Sequence, residues 1–386
     1  MEKKKKFLEV YKPKYYVCYA LVGAMLLVAL IMQSMNKLPM SLANLFVQIG
    51  YSVILAVSLN LVVGFLGELS LGHAGFMCIG AYIGSYIAIA LRSSIESKLL
   101  VLILTMLIGG LVAALFGLIV GLPALRLKGD YLAIVTLAFG EIVRTICKNL
   151  PFFGGAMGLS TKAIKYNSRQ DNSLYVVTFI TALVVLFMIQ NLVRSKHGRA
   201  ITAIRDNEIA AKAMGINVTF YKLFVFVIAA FFAGIAGVLY GHYTTPVMYS
   251  FFSYNYSIEI LVMVVLGGMA SVNGSIIAAT LITVINFILQ KNLSGDLAAL
   301  KYLIYALILI VLVIFNNAPK LAPLKEKISP KAIISRFKRK KDPASIEEDP
   351  VDWRRIPTKI SMDEILSVDV QQGNEFTPDK PGKEGK

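Results

Sequence analysis

The feature that most constrains this chain is a series of long apolar runs, most of them close to the length of one membrane-crossing helix. The 386 residues are 56% hydrophobic, with a mean hydropathy of +0.67, which is well above the level of soluble globular proteins. An apolar helix of about 20 residues crosses a bilayer while it satisfies its own backbone hydrogen bonds. Outer-membrane barrels show shorter, alternating segments instead. The sequence therefore predicts an all-α, polytopic helical membrane protein.

The apolar runs predict about ten spans, with the N-terminus and the C-terminus both in the cytoplasm. The third and eighth runs adjoin Gly-rich stretches, so they are candidates for broken or re-entrant helices. The predicted spans are residues 15–33, 44–63, 77–91, 99–122, 131–146, 174–193, 223–243, 258–268, 276–289 and 302–315.

The distribution of positive charge supports this topology. The formal net charge of +16 would suggest a nucleic-acid partner in a soluble protein. Here the charge lies in loops and tails, where the positive-inside rule explains it. An even number of spans places the loop around Arg126, the loop 194–222 and the stretch 320–341 on one side, although the external loop 148–173 is also mildly basic. We therefore expect a lipid bilayer and no nucleic acid around this chain.

Three regions follow from this pattern. The membrane domain is expected to cover residues 15–316, after a basic cytoplasmic N-terminus at 1–14 and before a cytoplasmic tail at 317–386. Within the tail, 331–341 is a candidate for a basic amphipathic helix on the anionic inner leaflet. Most of the tail is rich in Pro, Glu and Asp and is expected to be largely disordered.

One strongly polar loop, 194–222, stands between two long apolar runs and has a helical pattern. Its apolar residues recur at helical spacing, and Gly215 stands where a helix would end. The loop is therefore predicted to form a short helix, a turn and the start of a span. From residue types alone, two interpretations are equally open: a solvated basic loop, or a rigid helix that receives a push from a cytoplasmic partner. The apolar positions are Ala200, Ile201, Ala203, Ile204, Ile209, Ala210, Ala213 and Met214.

Four sequence patterns stand in a definite order along the chain. They are Gly-Glu-Leu-Ser-Leu-Gly-His-Ala-Gly-Phe at 67–76, Leu-Arg-Leu-Lys-Gly-Asp-Tyr-Leu-Ala-Ile at 125–134, Thr-Leu-Ala-Phe-Gly-Glu-Ile-Val-Arg at 136–144, and the coupling-like segment 198–215. Together they resemble the permease subunits of branched-chain amino acid ABC importers of the LivM type, in the LivH/LivM permease family. The resemblance covers residues 44–315 and leaves out the tail.

The resemblance implies a membrane subunit of an importer for leucine, isoleucine and valine in the bacterial cytoplasmic (inner) membrane. The implied partners are a second related permease, two cytoplasmic ABC ATPases and an extracytoplasmic substrate-binding protein. The ATPases would use the ATP, so no cofactor is expected on this chain. In the general coupling signature Glu-Ala-Ala-x-x-x-Gly, Ala210, Ala211 and Gly215 keep the spacing, whereas Glu208 stands one residue early.

The resemblance also implies which residues meet the ATPase. The coupling-loop residues are Arg199, Ile204, Arg205, Asp206, Asn207, Glu208, Ala210, Ala211, Met214 and Gly215. Those expected to fill a groove on the ATPase are Ile204, Ala210, Ala211 and Met214. Those expected to make polar contacts at its rim are Arg199, Arg205, Asp206 and Glu208.

Two groups of residues are candidates for lining a transport pathway. They are Gly67, Ser70, Gly72, His73 and Gly75 in the Gly-rich break, and Glu141 and Arg144 on the fifth span. The alternative for the break is close helix packing, with His73 as a hydrogen-bonded packing residue. The alternative for Glu141 and Arg144 is an internal ion pair at i, i+3 rather than a gate or a contact to a substrate carboxylate. A loose echo of 66–72 in 266–274 leaves an internal repeat open.

Catalytic patterns are missing from the sequence. There is no Gly-x-x-x-x-Gly-Lys-Ser/Thr motif and no metal or nucleophile arrangement, so we expect neither an enzyme nor an ATPase. Cys18, Cys78 and Cys147 lie in apolar runs and are expected to be buried, reduced thiols. Two other functions stay open: an ABC permease for urea, short amides or another small solute, and an ion-coupled secondary transporter. The second needs Glu141 as its coupling site and leaves the loop 194–222 unexplained.

Overall fold

The computed structural model describes residues 17–34, 39–127, 129–166 and 174–292, together with Leu307 and Ile310. All of these lie in the first of two compact units, Met1–Asn317; the second is Ala318–Lys386. The predicted N-terminal segment 1–14, the tail 317–386 and most of the tenth span therefore lie outside the described residues, as does the side chain of Cys18.

Every regular element in this part of the chain is helical. A π-helical turn, Leu61–Leu66, continues the second helix without interruption. The helices are α1 Val17–Ser34, α2 Met40–Asn60, α3 His73–Arg92, α4 Lys98–Ala124, α5 Asp130–Asn149, α6 Leu174–Arg194, α7 Lys196–Asp206, α8 Glu208–Ala213, α9 Val218–Tyr243, α10 Tyr254–Gly267 and α11 Val272–Asn292.

Six of the helices in the described ranges are long and apolar enough to cross a membrane, so the chain is a multi-pass membrane protein. Each contains one of the predicted spans. Two shorter apolar helices, Tyr19–Met32 and Tyr254–Gly267, correspond to the first and eighth predicted spans. The six are Met40–Leu66, His73–Arg92, Lys98–Ala124, Leu174–Arg194, Val218–Tyr243 and Val272–Lys291.

The third predicted span is not broken. It forms one continuous helix, α3, and the break lies before it, where Gly67 takes a left-handed conformation with φ of 83°. The eighth span is also one short helix, α10, which ends at Gly267 and has Gly268 as its C-cap. The fifth predicted span forms α5, but its ionisable residues keep it out of the apolar set. They are Asp130, Glu141, Arg144 and Lys148.

The centre of the bundle is built on close contact between α3, α4 and α9. A Cβ atom added to Gly80 on α3 would overlap the backbone of Gly234 on α9. Small residues let helices approach closely in a membrane, where packing rather than hydrophobic burial holds helices together. Cys78 and Cys147, on α3 and α5, are both buried and reduced, as predicted, with their sulfur atoms 3.8 Å apart.

Two breaks interrupt the helices. The first follows Leu66 and extends to Gly72; the second joins α10 to α11 and contains Ala270, at φ of 61°. Asn60, the fully buried last residue of α2, accepts at its Oδ1 a 3.0 Å hydrogen bond from the Ala270 N–H and donates from its Nδ2 one of 2.9 Å to Ser275 Oγ. Gly64, in the π-helical turn, packs against the backbone of Ala270. The second break therefore lies against the helix that leads into the first break.

Candidate functional site

The polar loop 194–222 forms two short capped helices, where the pattern predicted one. Ser195 Oγ accepts hydrogen bonds from the backbone N–H groups of His197 and Gly198 and so begins α7. Asn207 Oδ1 accepts 3.0 Å bonds from the N–H groups of Ile209 and Ala210 and begins α8. Such caps satisfy the free donors at a helix start, so the direction of the chain changes at Asn207.

Gly215 ends α8, as predicted. Its φ is 80°, and its N–H donates to the carbonyl oxygen of Lys212 while the N–H of Ile216 donates to that of Ala211. This pair of bonds is a Schellman motif, which requires a left-handed residue at the position of Gly215. The motif closes the helix and leads directly into α9.

The apolar residues of this helix pair face in two directions. Ile201, Ile204 and Ala211 are buried within the chain, whereas Ile209 is 81% exposed and Met214 82% exposed. The expectation that Ile204 and Ala211 fill a groove on a partner is therefore wrong, because both side chains pack inward. The surface open to a partner is carried by Ile209, Ala210 and Met214, with Asp206 beside them. We call these four residues the outer surface.

Arg205 ties α7 to the first break. Its Nη1 donates a 3.1 Å hydrogen bond to the carbonyl oxygen of Gly64. Its aliphatic stem lies against Gly67, where an added Cβ would overlap Arg205 Cγ. Nε and Nη2 of the same guanidinium bond Asp206 Oδ1 at 3.1 and 2.9 Å. Two predicted features, the coupling loop and the Gly-rich break, are thus in direct contact.

A second link is made by charges. Lys222, near the start of α9, forms ion pairs with Glu68 in the first break and with Glu208 on α8, the latter at 3.2 Å. Glu208 also pairs with Lys212 at 2.8 Å. The hydrogen bond from Lys212, followed by that from Lys222, lowers the pKa of the Glu208 carboxyl from 4.5 to about 2. Glu208 is therefore ionised at any physiological pH.

A cleft of about 650 Å³ opens beside these contacts, between α7, the end of α6, the π-helical turn and the second break with the start of α11. Arg199, one of the predicted coupling residues, is exposed and lines it. The other lining residues are Phe65, Gln190, Val193, Arg194, Ala270, Ser271, Val272 and Asn273.

Most candidates in the Gly-rich break are packing residues in this structure. Ser70 and His73 are both 2% exposed, and His73 Nε2 lies 2.8 Å from Ser58 Oγ in a hydrogen bond. Gly72 and Gly75 face α5 so closely that added Cβ atoms would overlap Thr136 and Gly140. The geometry favours the close-packing interpretation for these four, while Gly67 serves the contact with Arg205.

Glu141 and Arg144 form the predicted i, i+3 ion pair, at 2.6 Å. The other carboxylate oxygen of Glu141 accepts a 2.9 Å hydrogen bond from the N–H of Tyr254, the first residue of α10. A carboxylate at a helix N-terminus is favoured by the helix dipole. The pair is about a quarter exposed and borders an exposed stripe on α5. The stripe consists of Tyr131, Ile134, Val135, Ala138, Ile142, Thr145 and Ile146.

Sequence reasoning missed Lys222 and Asn60. Lys222 is the last residue of the polar loop 194–222, at the entry to an apolar run, and Asn60 stands within an apolar run. Ionisable and amide side chains inside spans are costly and usually pair with each other or with backbone groups. This rule marks Lys222 and Asn60 as residues that need polar partners, but it does not identify those partners.

Comparison with known proteins identifies relatives that are membrane transport proteins. A family model described as "Branched-chain amino acid transport system / permease component" matches residues 41–313. The high-affinity branched-chain amino acid transport system permease protein LivM of Salmonella typhimurium is 35% identical over 260 residues, covering 60% of each chain. This chain therefore spans about three fifths of the length of that relative.

More distant relatives carry related names. The probable branched-chain amino acid transport permease protein LivM of Methanocaldococcus jannaschii is 31% identical over 55% of this chain and 67% of its own. The permease protein LivH of Salmonella typhimurium is 27% identical over 40% of this chain and 48% of its own. Among solved structures, PsaBC from Streptococcus pneumoniae in complex with Fab covers 78% of this chain and 99% of its own chain, at 15% identity and a TM-score of 0.41. That likeness is too low to indicate function.

Proposed function

Since this chain belongs to the family of permease components of branched-chain amino acid transport systems, we propose that it is the membrane subunit of an ABC importer for leucine, isoleucine and valine. In this role it forms the translocation pathway with a second, related permease. Two cytoplasmic ATPases drive it, and an extracytoplasmic binding protein delivers the amino acid. The chain spans the bacterial inner membrane about ten times, with both termini in the cytoplasm.

The observation that carries the proposal is the construction of α7 and α8. Outward, they present the outer surface, Asp206, Ile209, Ala210 and Met214, on a rigidly capped helix pair. Inward, Arg205 and Glu208 connect the pair to the first break through Gly64 and Lys222. A helix that inserts into a groove on a partner, and is tied to a discontinuity between two spans, can convert the partner's movement into a change in the bundle.

The mechanism follows from these connections. Closure of the ATPases on ATP moves the outer surface with them. Because α7 and α8 are joined to the break, α2 and α3 move relative to one another at the point where the chain lacks continuous helix. The second break moves with the end of α2, since Asn60 bonds both Ala270 and Ser275. The bundle then alternates between outward-facing and inward-facing states.

The exposed stripe on α5 supports a place for the second permease and the pathway. An ion pair at the lipid surface would be costly, so the partly exposed Glu141 and Arg144 are better placed against protein or water. We assign this face of α5 to the boundary of the pathway. Glu141 and Arg144 then keep their predicted role as pathway residues and also position α10.

The ion-coupled carrier is less consistent with the geometry. It requires Glu141 to exchange a proton or cation, yet this carboxylate is held by Arg144 and by the N–H of Tyr254. Each binding event would break an ion pair and a helix cap. The outer surface, carried by α7 and α8 together, has no role in such a carrier.

Two measurements test the proposal. The first is uptake of labelled leucine in cells with and without this gene, in a strain that lacks other leucine importers, with isoleucine, valine, urea or ribose as competitors. Loss of uptake on deletion, with competition by isoleucine and valine alone, is the expected result. Unchanged leucine uptake would refute the cargo, and competition by urea would favour the alternative solute class.

The second measurement is co-purification of the ATPases with this chain. Met214→Glu places a charge in the outer surface and should abolish association, because the groove on the ATPase would have to bury it unpaired. Met157→Glu is the matched control: Met157 is 85% exposed and lies between α5 and α6. Retention of the ATPases by Met214→Glu would remove the outer surface from the proposal.

A further inference from the structure

We propose that Lys222 is a positioning residue that couples α8 to the first break, so that movement of the coupling helices reaches the bundle through one buried ammonium group. The inference rests on the proposed function and adds to it the residue through which the movement passes. Three segments meet at Lys222: the start of α9, α8 at Glu208, which lies 14 residues earlier, and the break at Glu68, which is distant in the sequence.

The burial of Lys222 argues for a specific role. Its side chain is 6% exposed, although it belongs to a long apolar helix. Removing an ammonium group from water is costly, and a buried ion pair often stabilises a fold no better than apolar residues of similar volume would. A methionine side chain has similar length and avoids that cost. Filling space is therefore a poor explanation for a lysine at this position.

The charges around Lys222 form a network. Glu68 and Glu208 approach its ammonium group from the break and from α8, and Glu208 carries Lys212 on its other oxygen. Arg126 lines the same pocket as Glu208, Lys212 and Lys222. An ammonium group has three N–H donors, so it can hold both carboxylates at once. The Glu208 side chain, ionised because of these same bonds, is the anion that moves with α8.

Movement of α8 then has two outcomes. Either Lys222 and Glu68 follow Glu208, and the break moves with the coupling helix, or an ion pair separates in a poorly solvated place. The second outcome is strongly unfavourable, because breaking a buried pair leaves an uncompensated charge. The α8 helix and the break therefore move as one body while Lys222 holds both acids.

Arg205 provides a different kind of link. Its guanidinium is 36% exposed, bonds the Gly64 carbonyl oxygen and is shared with Asp206. Arg205 joins α7, not α8, to the break. Its contact there is between a charged guanidinium and a neutral backbone carbonyl group, not between two charges. Loss of Arg205 and loss of Lys222 should therefore have separable effects.

The test uses the complete importer, purified and reconstituted in proteoliposomes with its ATPases, second permease and binding protein. Glu68→Gln removes only the link to the break and keeps the Glu208–Lys222 pair and the outer surface. We expect ATP hydrolysis within about twofold of wild type and amino acid uptake reduced about tenfold or more. Glu96→Gln is the matched control, because Glu96 is an exposed acid in the loop between α3 and α4.

Lys222 itself is tested by two substitutions. Lys222→Met should reproduce the loss of uptake with continued hydrolysis, whereas Lys222→Arg, which keeps the charge and the donors, should recover most of the uptake. Wild-type uptake in both Glu68→Gln and Lys222→Met would overturn the inference, and so would a parallel fall of hydrolysis and uptake, which indicates a merely structural role. Failure of the wild-type chain to bind the ATPases would instead refute the proposed function.

Discussion

Arg205 and Gly64 stand 141 residues apart in the chain, yet the guanidinium of the first donates a 3.1 Å hydrogen bond to the carbonyl oxygen of the second. The π-helical turn Leu61–Leu66 contains Gly64, so this carbonyl lies at the very end of a membrane-crossing helix. The contact joins the most polar loop of the described chain to the first break. Four predictions follow from this and the neighbouring contacts.

Replacing Arg205 should uncouple the chain without unfolding it. Arg205→Gln loses the bond to Gly64 and the charge beside Asp206, but the outer surface stays on α8. We expect normal insertion into the membrane and retained ATPase association, with uptake reduced about tenfold or more. Lys196→Gln removes an exposed charge from the same helix and should leave uptake unchanged. Normal uptake by Arg205→Gln would contradict the assignment.

Gly215 should tolerate asparagine better than alanine. An added Cβ meets no atom within 4 Å, so the cost arises from the left-handed backbone, at φ of 80°. That cost is about 1 kcal/mol for alanine and less for asparagine, which enters this region more readily. Gly215→Ala should weaken ATPase association more than Gly215→Asn does. Equal affinities in a binding assay of the two variants would show that the Schellman motif does not position α8.

The contribution of Glu208 to stability should depend on pH at the acid end alone. Its pKa is lowered from 4.5 in the unfolded chain to about 2. Such a group stabilises the folded state above pH 4.5 and loses this contribution as the pH falls towards 2. The difference in Tm between wild type and Glu208→Gln in detergent should be constant at neutral pH and shrink below pH 4.5. A difference that persists unchanged in strong acid would contradict the ion pairs, and Glu96→Gln provides the baseline.

Asn60 should be among the most sensitive buried positions. Asn60→Leu leaves the Ala270 N–H without its acceptor and removes the bond that the Ser275 hydroxyl accepts, although this hydroxyl still donates to the Ser271 carbonyl oxygen. An unsatisfied buried polar group costs about 1–3 kcal/mol, so Tm should fall by several degrees. Asn60→Asp keeps an acceptor for the Ala270 N–H. Burial favours the protonated, uncharged form of this carboxylic acid, so Tm should fall less than in Asn60→Leu. Unchanged melting of Asn60→Leu would show that this amide does not hold the second break to α2.

Much of the fold was predictable because the length of an apolar run in the sequence indicates a membrane-crossing helix. The spans 44–63, 99–122 and 174–193 each lie inside an observed helix, since a single segment satisfies its own backbone hydrogen bonds in lipid only as a helix. The Gly-rich break was also visible, but its position relative to α3 was not, because Gly75, Gly80 and Gly84 look like helix breakers in sequence. In the bundle they are contact points for α5 and α9.

The directions of side chains were less predictable. A helical repeat shows that Ile204 and Ile209 belong to apolar stripes, but it carries the pattern through Asn207 as though the helix were continuous. The cap at Asn207 changes the direction, so Ile204 faces the bundle and Ile209 faces outward. The pairing of Lys222 with Glu68, and that of Asn60 with Ala270 and Ser275, depend on tertiary contacts between segments far apart in sequence. No local pattern contains that information.

The hydrogen bonds of the Asn60 amide also constrain the order in which the bundle assembles during synthesis. Its partners Ala270 and Ser275 are added to the chain 210 and 215 residues later. When α2 enters the bilayer, the Asn60 side chain does not yet have these two partners. At a synthesis rate of about 5–20 residues per second, the ribosome needs on the order of ten seconds or more to add Ala270 and Ser275. The packing around α2 is therefore completed only when α10 and α11 have been synthesised, so this part of the bundle assembles late in folding.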